Sequence, residues 1–424
     1  MNQPRLAYIS FDTVPAPKGA AIHIAAFVQA LANAFGQIQL VTVSPNKEAT
    51  NPQELFPGVI QTTLPAMGDT LIHRVLYFRA LLGSWLKGKQ YDAIHFRSIY
   101  EGFPLALNKG KLSTNLIFEI NGLPSIELKY RYPDVAGDHE LLHKLRGQEK
   151  ICLDAADLIL TPSAITRDYL QTRGVPFEKI RVIPNGVDLN IFTYSPRKGK
   201  LGVGIKEVSD LSHNLHPLAS SSKLRHYQEG GLNKHNYFRL LYFGTLSAWQ
   251  GVNLAIEALA LTNRDFPTEL IVIGQGRSQQ IVALRKLAKK LNVEEQVIIL
   301  EPMPQVQLVQ HIHQADAIVA PLTPNDRNLI QGCCPLKVLE GMATGTPVIA
   351  SDMPVVRELG TDDEHFLLVK PGSAKAIKDA IARLRTEPEL ASCLAIAARQ
   401  RIEKYYTWQQ ASAALVDAYI NLIK

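Results

Sequence analysis

The sequence predicts an α/β protein built from two doubly wound domains in tandem. Three observations carry this. Short apolar runs of strand length alternate with amphipathic helical stretches along most of the 424 residues, the pattern of parallel sheets covered on both faces. The alternation stops across 195–236, where polar residues and glycines scatter without a period, and then resumes. The length itself suffices for two or three domains. The expected division is an N-terminal domain over 1–194, a flexible insert over 195–236, a C-terminal domain over 237–404 and a closing helix over 405–424.

In order, 6–11 reads as a buried strand, followed by a Pro/Gly loop and an apolar helix over 20–35. Strands at 39–43, 93–96, 116–120, 158–160 and 180–183 alternate with helices at 71–86 and 141–155. Beyond the insert, strands at 239–243, 270–273, 297–300 and 317–320 alternate with helices at 252–261, 279–291 and 306–314. A last strand at 366–369 precedes the terminal helices, the final one over 408–423. Ligands of such sheets bind beyond the carboxyl ends of the strands. That rule singles out Lys18 to His23, His95 and Arg97, Glu119 and Asn121, and Asn185-Gly186, all of which follow strands.

Composition excludes several classes. Hydrophobic content of 46% with 20% charged residues is that of a globular protein. No run of about 18 apolar residues appears, and the first residues lack a basic start followed by an apolar stretch, so neither a membrane span nor a signal peptide is expected. Four cysteines, two of them adjacent, give no disulfide framework and no zinc spacing. A cytoplasmic location follows, with room for peripheral contact at the inner membrane face. A net charge of +6 suits an anionic substrate or a lipid surface as well as a nucleic acid.

The informative stretch is 332–352, GCCPLKVLEGMATGTPVIASD. Pro335 suits the first position of a helix, where its missing N–H costs nothing. Leu336, Leu339 and Ala343 make a core-facing stripe, and Gly345 closes the helix before a strand. Lys337 and Glu340, three apart, point the same way. Open N–H groups at a helix start plus a lysine make a place for a phosphate. A carboxylate one turn deeper can accept from two sugar hydroxyls. Other signals are weak. Gly274 and Gly276 after a strand could cradle a pyrophosphate or only form a tight turn, and Gln279 breaks the full dinucleotide pattern. The basic run Arg285, Lys286, Lys289, Lys290 reads as a solvated face. Asp362, Asp363 and Glu364 read as a surface turn and no metal site. The helix over 71–86 carries Arg74, Arg79 and Trp85 among apolar residues, and could lie on an anionic membrane or pack on its own sheet.

Six motifs in order resemble the retaining GT-B glycosyltransferases of family four: PKGAAIH at 17–23, ADLILTPS at 156–163, IPNGVD at 183–188, YFGTLSAWQGV at 242–252, VIGQG at 272–276 and PLKVLEGMATGTPVIASD at 335–352. The resemblance spans nearly the whole chain apart from the insert, and implies two Rossmann-like domains with the last helix returning to the N-terminal one. It implies that Glu340 holds the ribose of a nucleoside-diphosphate sugar. Gly332, Cys333, Cys334, Pro335 and Leu336 would cradle donor sugar and phosphates. Gly244, Thr245, Gly274 and Gly276 would let the backbone approach the diphosphate, and Gly19 would reach across the cleft. Asn121 falls where many relatives carry a histidine near the reacting sugar. His23, His95, Arg97 and Glu119 are the acceptor-side candidates.

There are departures. A second family glutamate is replaced by Gly332, and the usual diphosphate cations by Thr245 and Gln250. Lys337 and Arg327 are the candidates to replace them, because a departing diphosphate needs fixed positive charge. The implied activity is retaining transfer of a sugar to the hydroxyl of a glycan, lipid or small molecule, with the nucleotide sugar as co-substrate. The resemblance implies no protein nucleophile, no further cofactor, no required metal and no nucleic-acid partner. The alternatives are a non-catalytic sugar-nucleotide-binding protein and a UDP-sugar epimerase of the same fold.

Overall fold

The computed structural model describes residues 3–195 and 237–423, so all of the predicted insert but Ser195 lies outside the described residues. The first sheet contains β1 (Leu6–Ile9), β2 (Ile38–Val43), β3 (Gln53–Phe56), β4 (Val59–Leu64), β5 (Tyr91–Phe96), β6 (Ser113–Glu119), β7 (Leu158–Thr161) and β8 (Ile180–Val182). Its order is β3-β4-β2-β1-β5-β6-β7-β8. Around it lie α1 (Gly19–Phe35), α2 (Leu71–Leu86), α3 (Ile99–Leu107), α4 (Pro124–Arg131), α5 (His139–Ala155) and α6 (Ala164–Thr172). The second sheet holds β9 (Phe238–Phe243), β10 (Thr268–Ile273), β11 (Val297–Leu300), β12 (Ala317–Ala320), β13 (Val348–Ser351) and β14 (Leu367–Val369), in the order β11-β10-β9-β12-β13-β14. Its helices are α7 (Val252–Thr262), α8 (Ser278–Lys290), α9 (Gln305–Gln314), α10 (Leu336–Thr344), α11 (Pro354–Arg357), α12 (Ala374–Thr386) and α13 (Pro388–Tyr405), and α14 (Trp408–Ile423) ends the chain.

Every neighbouring pair of the second sheet is parallel. The first sheet departs from the expected alternation at one edge, where β3 pairs antiparallel with β4. The sequence carries a signal for this hairpin in Pro57-Gly58, whose glycine takes φ +76, the conformation a tight turn needs after proline. The first strand also ends earlier than expected. Ser10 still donates its N–H to Val41 (2.9 Å), but Phe11 turns out of the ladder to meet the rings of Phe78 and Tyr100 at 5.2 and 5.5 Å.

Each sheet reverses its winding at a central strand. In the first, β1 lies between β2 and β5; in the second, β9 lies between β10 and β12. Ligand crevices open at such reversals, outside the carboxyl ends of the strands. The final helix packs on the first domain, where Ala411, Leu415, Ala418 and Tyr419 share an apolar cluster with Tyr8, Ile24 and Phe27. Full burial of a side chain such as Leu415 contributes about 2 kcal/mol.

Two segments between the domains run side by side. One follows β8, and the other joins α13 to α14. Val187 donates its N–H to the Tyr406 carbonyl (2.8 Å), and Trp408 donates to Val187 (3.3 Å). A Cβ on Gly186 would stand 2.4 Å from the Trp408 nitrogen, so the approach requires glycine.

Candidate functional site

The loop after β12 runs through a single π-turn (Arg327–Gln331) into Gly332 and then into α10. Pro335 is the residue just before the helix rather than its first turn. It offers no side-chain cap, so the first N–H groups of α10 stay open. Gly345, at φ +74, ends the helix as its composition predicts. All residues of α10 from Lys337 to Thr344 are buried, the two charged ones included.

Lys337 and Glu340 are each 7% exposed. The Lys337 ammonium sits 3.9 Å from the centroid of the Tyr242 ring and donates to Gln250 Oε1 at 2.5 Å. Glu340 accepts from Gln305 Nε2 at 3.0 Å. Burial pushes the Lys337 amine down to about 7, with nearby Arg327 adding to the effect. Burial likewise pushes the Glu340 carboxyl up to about 7, against the Gln305 hydrogen bond and Lys337. Two buried charged groups on one helix face make this helix start a candidate site.

Glycines frame the pair. A Cβ on Gly244, which has φ +125, would lie 3.5 Å from Lys337 Cε. One on Gly274 would collide with the Gly244 carbonyl at 1.7 Å, and one on Gly276 would touch Leu246 at 2.8 Å. The turn after β10 therefore packs backbone on backbone, and leaves Gly244 and Thr245 exposed at its lip. From the opposite domain, Gly19 opens α1 beside Leu336, within 2.9 Å of Leu336 Cδ1 for an added Cβ. Lys18, ahead of it, makes no side-chain cap and instead reaches Asp12 at 2.9 Å.

Arg327 is engaged otherwise than the sequence suggested. Its Nε donates to Glu127 Oε1 of α4 at 2.8 Å, Nη1 donates to Asn328 Oδ1 at 3.1 Å, and the guanidinium lies 5.2 Å from the Trp249 ring. Burial works against its charge, but Cys333 and Glu127 more than offset this and raise its pKa. Arg327 thus ties the two domains together instead of standing free for a diphosphate. Gly332 occupies the place of the missing glutamate with φ +84, and a Cβ there would stand 2.7 Å from Thr166 Oγ1 and 2.8 Å from Ser163 Oγ. Cys333 and Cys334 are buried, and burial pushes the Cys334 thiol up to about 12.

The four acceptor-side candidates form a buried network beneath the cleft rather than its surface. Glu119, 2% exposed, accepts from Arg97 Nε (2.9 Å) and Asn121 Nδ2 on one oxygen and from Tyr8 Oη (2.6 Å) on the other. His95 Nε2 lies 3.0 Å and His23 Nε2 2.9 Å from the same carboxylate. Burial alone would raise the Glu119 carboxyl; Arg97 and then His23 hold it well below the usual carboxylate range. His95 is fully buried, which pushes its imidazole down, and its Nδ1 meets Tyr419 Oη at 2.8 Å. Arg97 reaches outward from this network to Asp12 at 3.2 Å. Asn121, tied to Glu119, sits half-buried at its upper edge.

Sequence reading missed Gln305, Glu127 and Gln331 as partners, since each meets its target from a distant segment. Gln250 was visible as a departure from the family pattern, but not as the acceptor for Lys337. Two surface hollows of about 670 and 710 Å³ lie by Lys87 and Lys111 and by Arg5 and Thr114. Both sit at the amino ends of the strands, on the edge opposite the crevice.

Comparisons with known proteins bear on the family and the fold. Residues 17–191 match the family described as Glycosyltransferase Family 4, and residues 226–401 match Glycosyl transferases group 1. The chain is 21% identical over 443 residues to the D-inositol 3-phosphate glycosyltransferase of Xylanimonas cellulosilytica, covering 99% of this chain and 97% of that protein. Among solved structures, the sucrose-phosphate synthase of Thermosynechococcus elongatus superposes with a TM-score of 0.75 at 20% identity, with 99% of each chain covered. Anabaena HepE in complex with UDP-glucose gives 0.69 at 15% identity, covering 98% of this chain and 99% of that one. At such identities the structural likeness speaks for the fold.

Proposed function

We propose that this chain, a glycosyltransferase whose residues 17–191 belong to Glycosyltransferase Family 4 and 226–401 to Glycosyl transferases group 1, binds its nucleoside-diphosphate sugar at the start of α10 for retaining transfer to an acceptor hydroxyl. The observation that carries this reading is the buried pair on one helix face, Lys337 against Gln250 and Tyr242 with Glu340 one turn deeper. Gln250 stands where relatives place a lysine, so the missing cation is supplied from α10 instead. Lys337 and the open N–H groups meet the diphosphate, and Glu340 accepts from the ribose hydroxyls. The exposed lip at Gly244 and Thr245 admits the phosphates closely, and the Gly19 loop faces them from the other domain.

As the bond from the sugar to the phosphate oxygen breaks, negative charge grows on the diphosphate. The helix start supplies fixed N–H dipoles to it, and Lys337 turns from Gln250 to add its charge. The acceptor hydroxyl enters from the N-terminal side, on the same face of the sugar, and passes its proton to the departing phosphate oxygen as its own oxygen bonds to the sugar carbon. Asn121 and Asp12, at the upper edge of the buried network, are the groups nearest the acceptor in this reading. A peripheral contact with anionic lipid is part of the proposal, supported by the outer face of α2. There Ile72 and Leu76 are 54% and 55% exposed beside Arg74. No helix among the described residues is long and apolar enough to cross a membrane.

The test is direct binding of UDP-glucose, GDP-mannose and ADP-glucose to the wild type, Lys337→Ala and Glu340→Ala. Hydrogen bonds to charged groups are worth about 1.5–3 kcal/mol, so each substitution should weaken the preferred donor by roughly ten- to a hundredfold. Unchanged affinity in both variants would remove the assignment of the donor to α10.

A further inference from the structure

The loop leading into α10 is fastened at both ends to residues outside the C-terminal sheet. At its start Gln331, fully buried, accepts the Leu123 N–H on Oε1 (2.9 Å) and donates Nε2–H to Glu127 Oε1 (3.0 Å). At its end the Cys334 carbonyl accepts from Asn185 Nδ2 at 2.9 Å. Between these points Gly332 lies against Ser163 and Thr166. Leu123, Glu127, Ser163 and Thr166 all belong to the N-terminal domain, and Asn185 to the segment leaving it.

The second anchor has a fixed polarity. Asn185 gives its amide hydrogens to a carbonyl, so its Oδ1 faces His23 Nδ1 (2.8 Å), and that ring nitrogen is the donor. The other ring nitrogen of His23 lies 2.9 Å from Glu119 Oε1, an ion pair when the ring carries both protons, and makes no hydrogen bond. Glu119 is held by Arg97, Tyr8 and His95, and His95 by Tyr419 of the last helix. Polar contacts therefore run from the C-terminal helix through the floor of the N-terminal domain to the backbone of the donor loop, with the step from Glu119 to His23 a charge contact and not a hydrogen bond. Every member is buried, where an unpaired polar group is costly. The hydrogen-bonded links on either side of His23 therefore hold their partners in place.

We propose that Asn185 and Gln331 are positioning residues for the donor. Through them the N-terminal domain shapes the loop from which α10 begins, and thereby aims the open N–H groups and Lys337. The domain that carries Lys337 and Glu340 does not complete its own donor site. The proposal rests on the donor reading given above.

The experiment measures steady-state transfer or donor hydrolysis for wild type, Asn185→Ala, Asn185→Asp and Gln331→Ala, with Glu340→Ala as reference. The donor used is whichever of UDP-glucose, GDP-mannose and ADP-glucose the wild type turns over. Asn185→Asp keeps the size and the acceptor for His23, but sets a carboxylate oxygen against the Cys334 carbonyl. The donor KM should rise about tenfold in each Asn185 and Gln331 variant, with kcat at saturating donor falling far less. A loss of folded enzyme does the reverse, lowering apparent kcat and leaving KM in place. Wild-type donor KM in Asn185→Asp and Gln331→Ala, while Glu340→Ala loses the donor, overturns the proposal. A wild type that binds none of the three donors overturns the donor reading itself, and this inference with it.

Discussion

Lys337 spends the donor-free state on an aromatic face with one amide for company, which leaves its proton loosely held. In the free protein it titrates at about 7, as does Glu340. A diphosphate favours the charged amine, so above pH 7 binding must take up a proton, and affinity falls as pH rises, by up to about tenfold per unit. Ribose hydroxyls favour the ionised Glu340, so below pH 7 binding releases a proton and affinity falls again on the acid side. Donor affinity should therefore peak near pH 7, and Lys337→Met should flatten the alkaline limb. Titration calorimetry in buffers of different ionisation heat checks both, and an alkaline limb that survives in Lys337→Met would contradict the assignment. The pair was legible in the sequence, because helical spacing and a local dipole argument need only four consecutive residues. Gln305, Glu127 and Gln331 were not, since their partners lie 35, 200 and 204 positions away and no periodicity reports that distance.

Among the elements, the helices and strands with a strong apolar period were readable to within a few residues. Those set by turns were harder. The hairpin of β3 and β4 depends on Pro57-Gly58. The π-turn at Arg327–Gln331 is too short for any period to show, although it delivers Arg327 and Gln331 to α4. Of the two readings of α2, packing on its own sheet is met by one face, and the other face is exposed. Val75, Phe78, Leu82 and Leu86 pack inward, while Ile72, Leu76 and Tyr77 face out beside His73 and Arg74. The proposed lipid contact would combine insertion of these apolar side chains with the charge of Arg74. The full chain should co-sediment with vesicles containing phosphatidylglycerol and less with phosphatidylcholine alone. Ile72→Asp combined with Leu76→Asp should reduce the bound fraction severalfold. Equal sedimentation of wild type and double variant would assign that face another role.

At the scale of the molecule, the alternation of strands and helices was enough to foresee two domains. How they face one another was not, because the contacts that set it are polar pairs between distant segments. The last helix belongs to the first domain energetically as well as spatially. Truncation after Tyr405 should uncover Ile24, Phe27 and their neighbours, and abolish cooperative melting of the N-terminal domain in calorimetry. The milder Tyr419→Phe leaves His95 Nδ1 without its donor, costs about 1 kcal/mol and should lower Tm by about 2–4 °C. A wild-type melting curve for the truncated chain would show that the helix is only an appendage. The touching segments at Val187 and Thr407 have a mechanical corollary. If the domains rotate about this contact, each group moves in proportion to its lever arm. Asn185 lies two residues from that axis, so its bond to Cys334 barely travels, while the far rim of the cleft sweeps the widest arc. Small openings can thus admit an acceptor at the mouth while the donor end stays assembled.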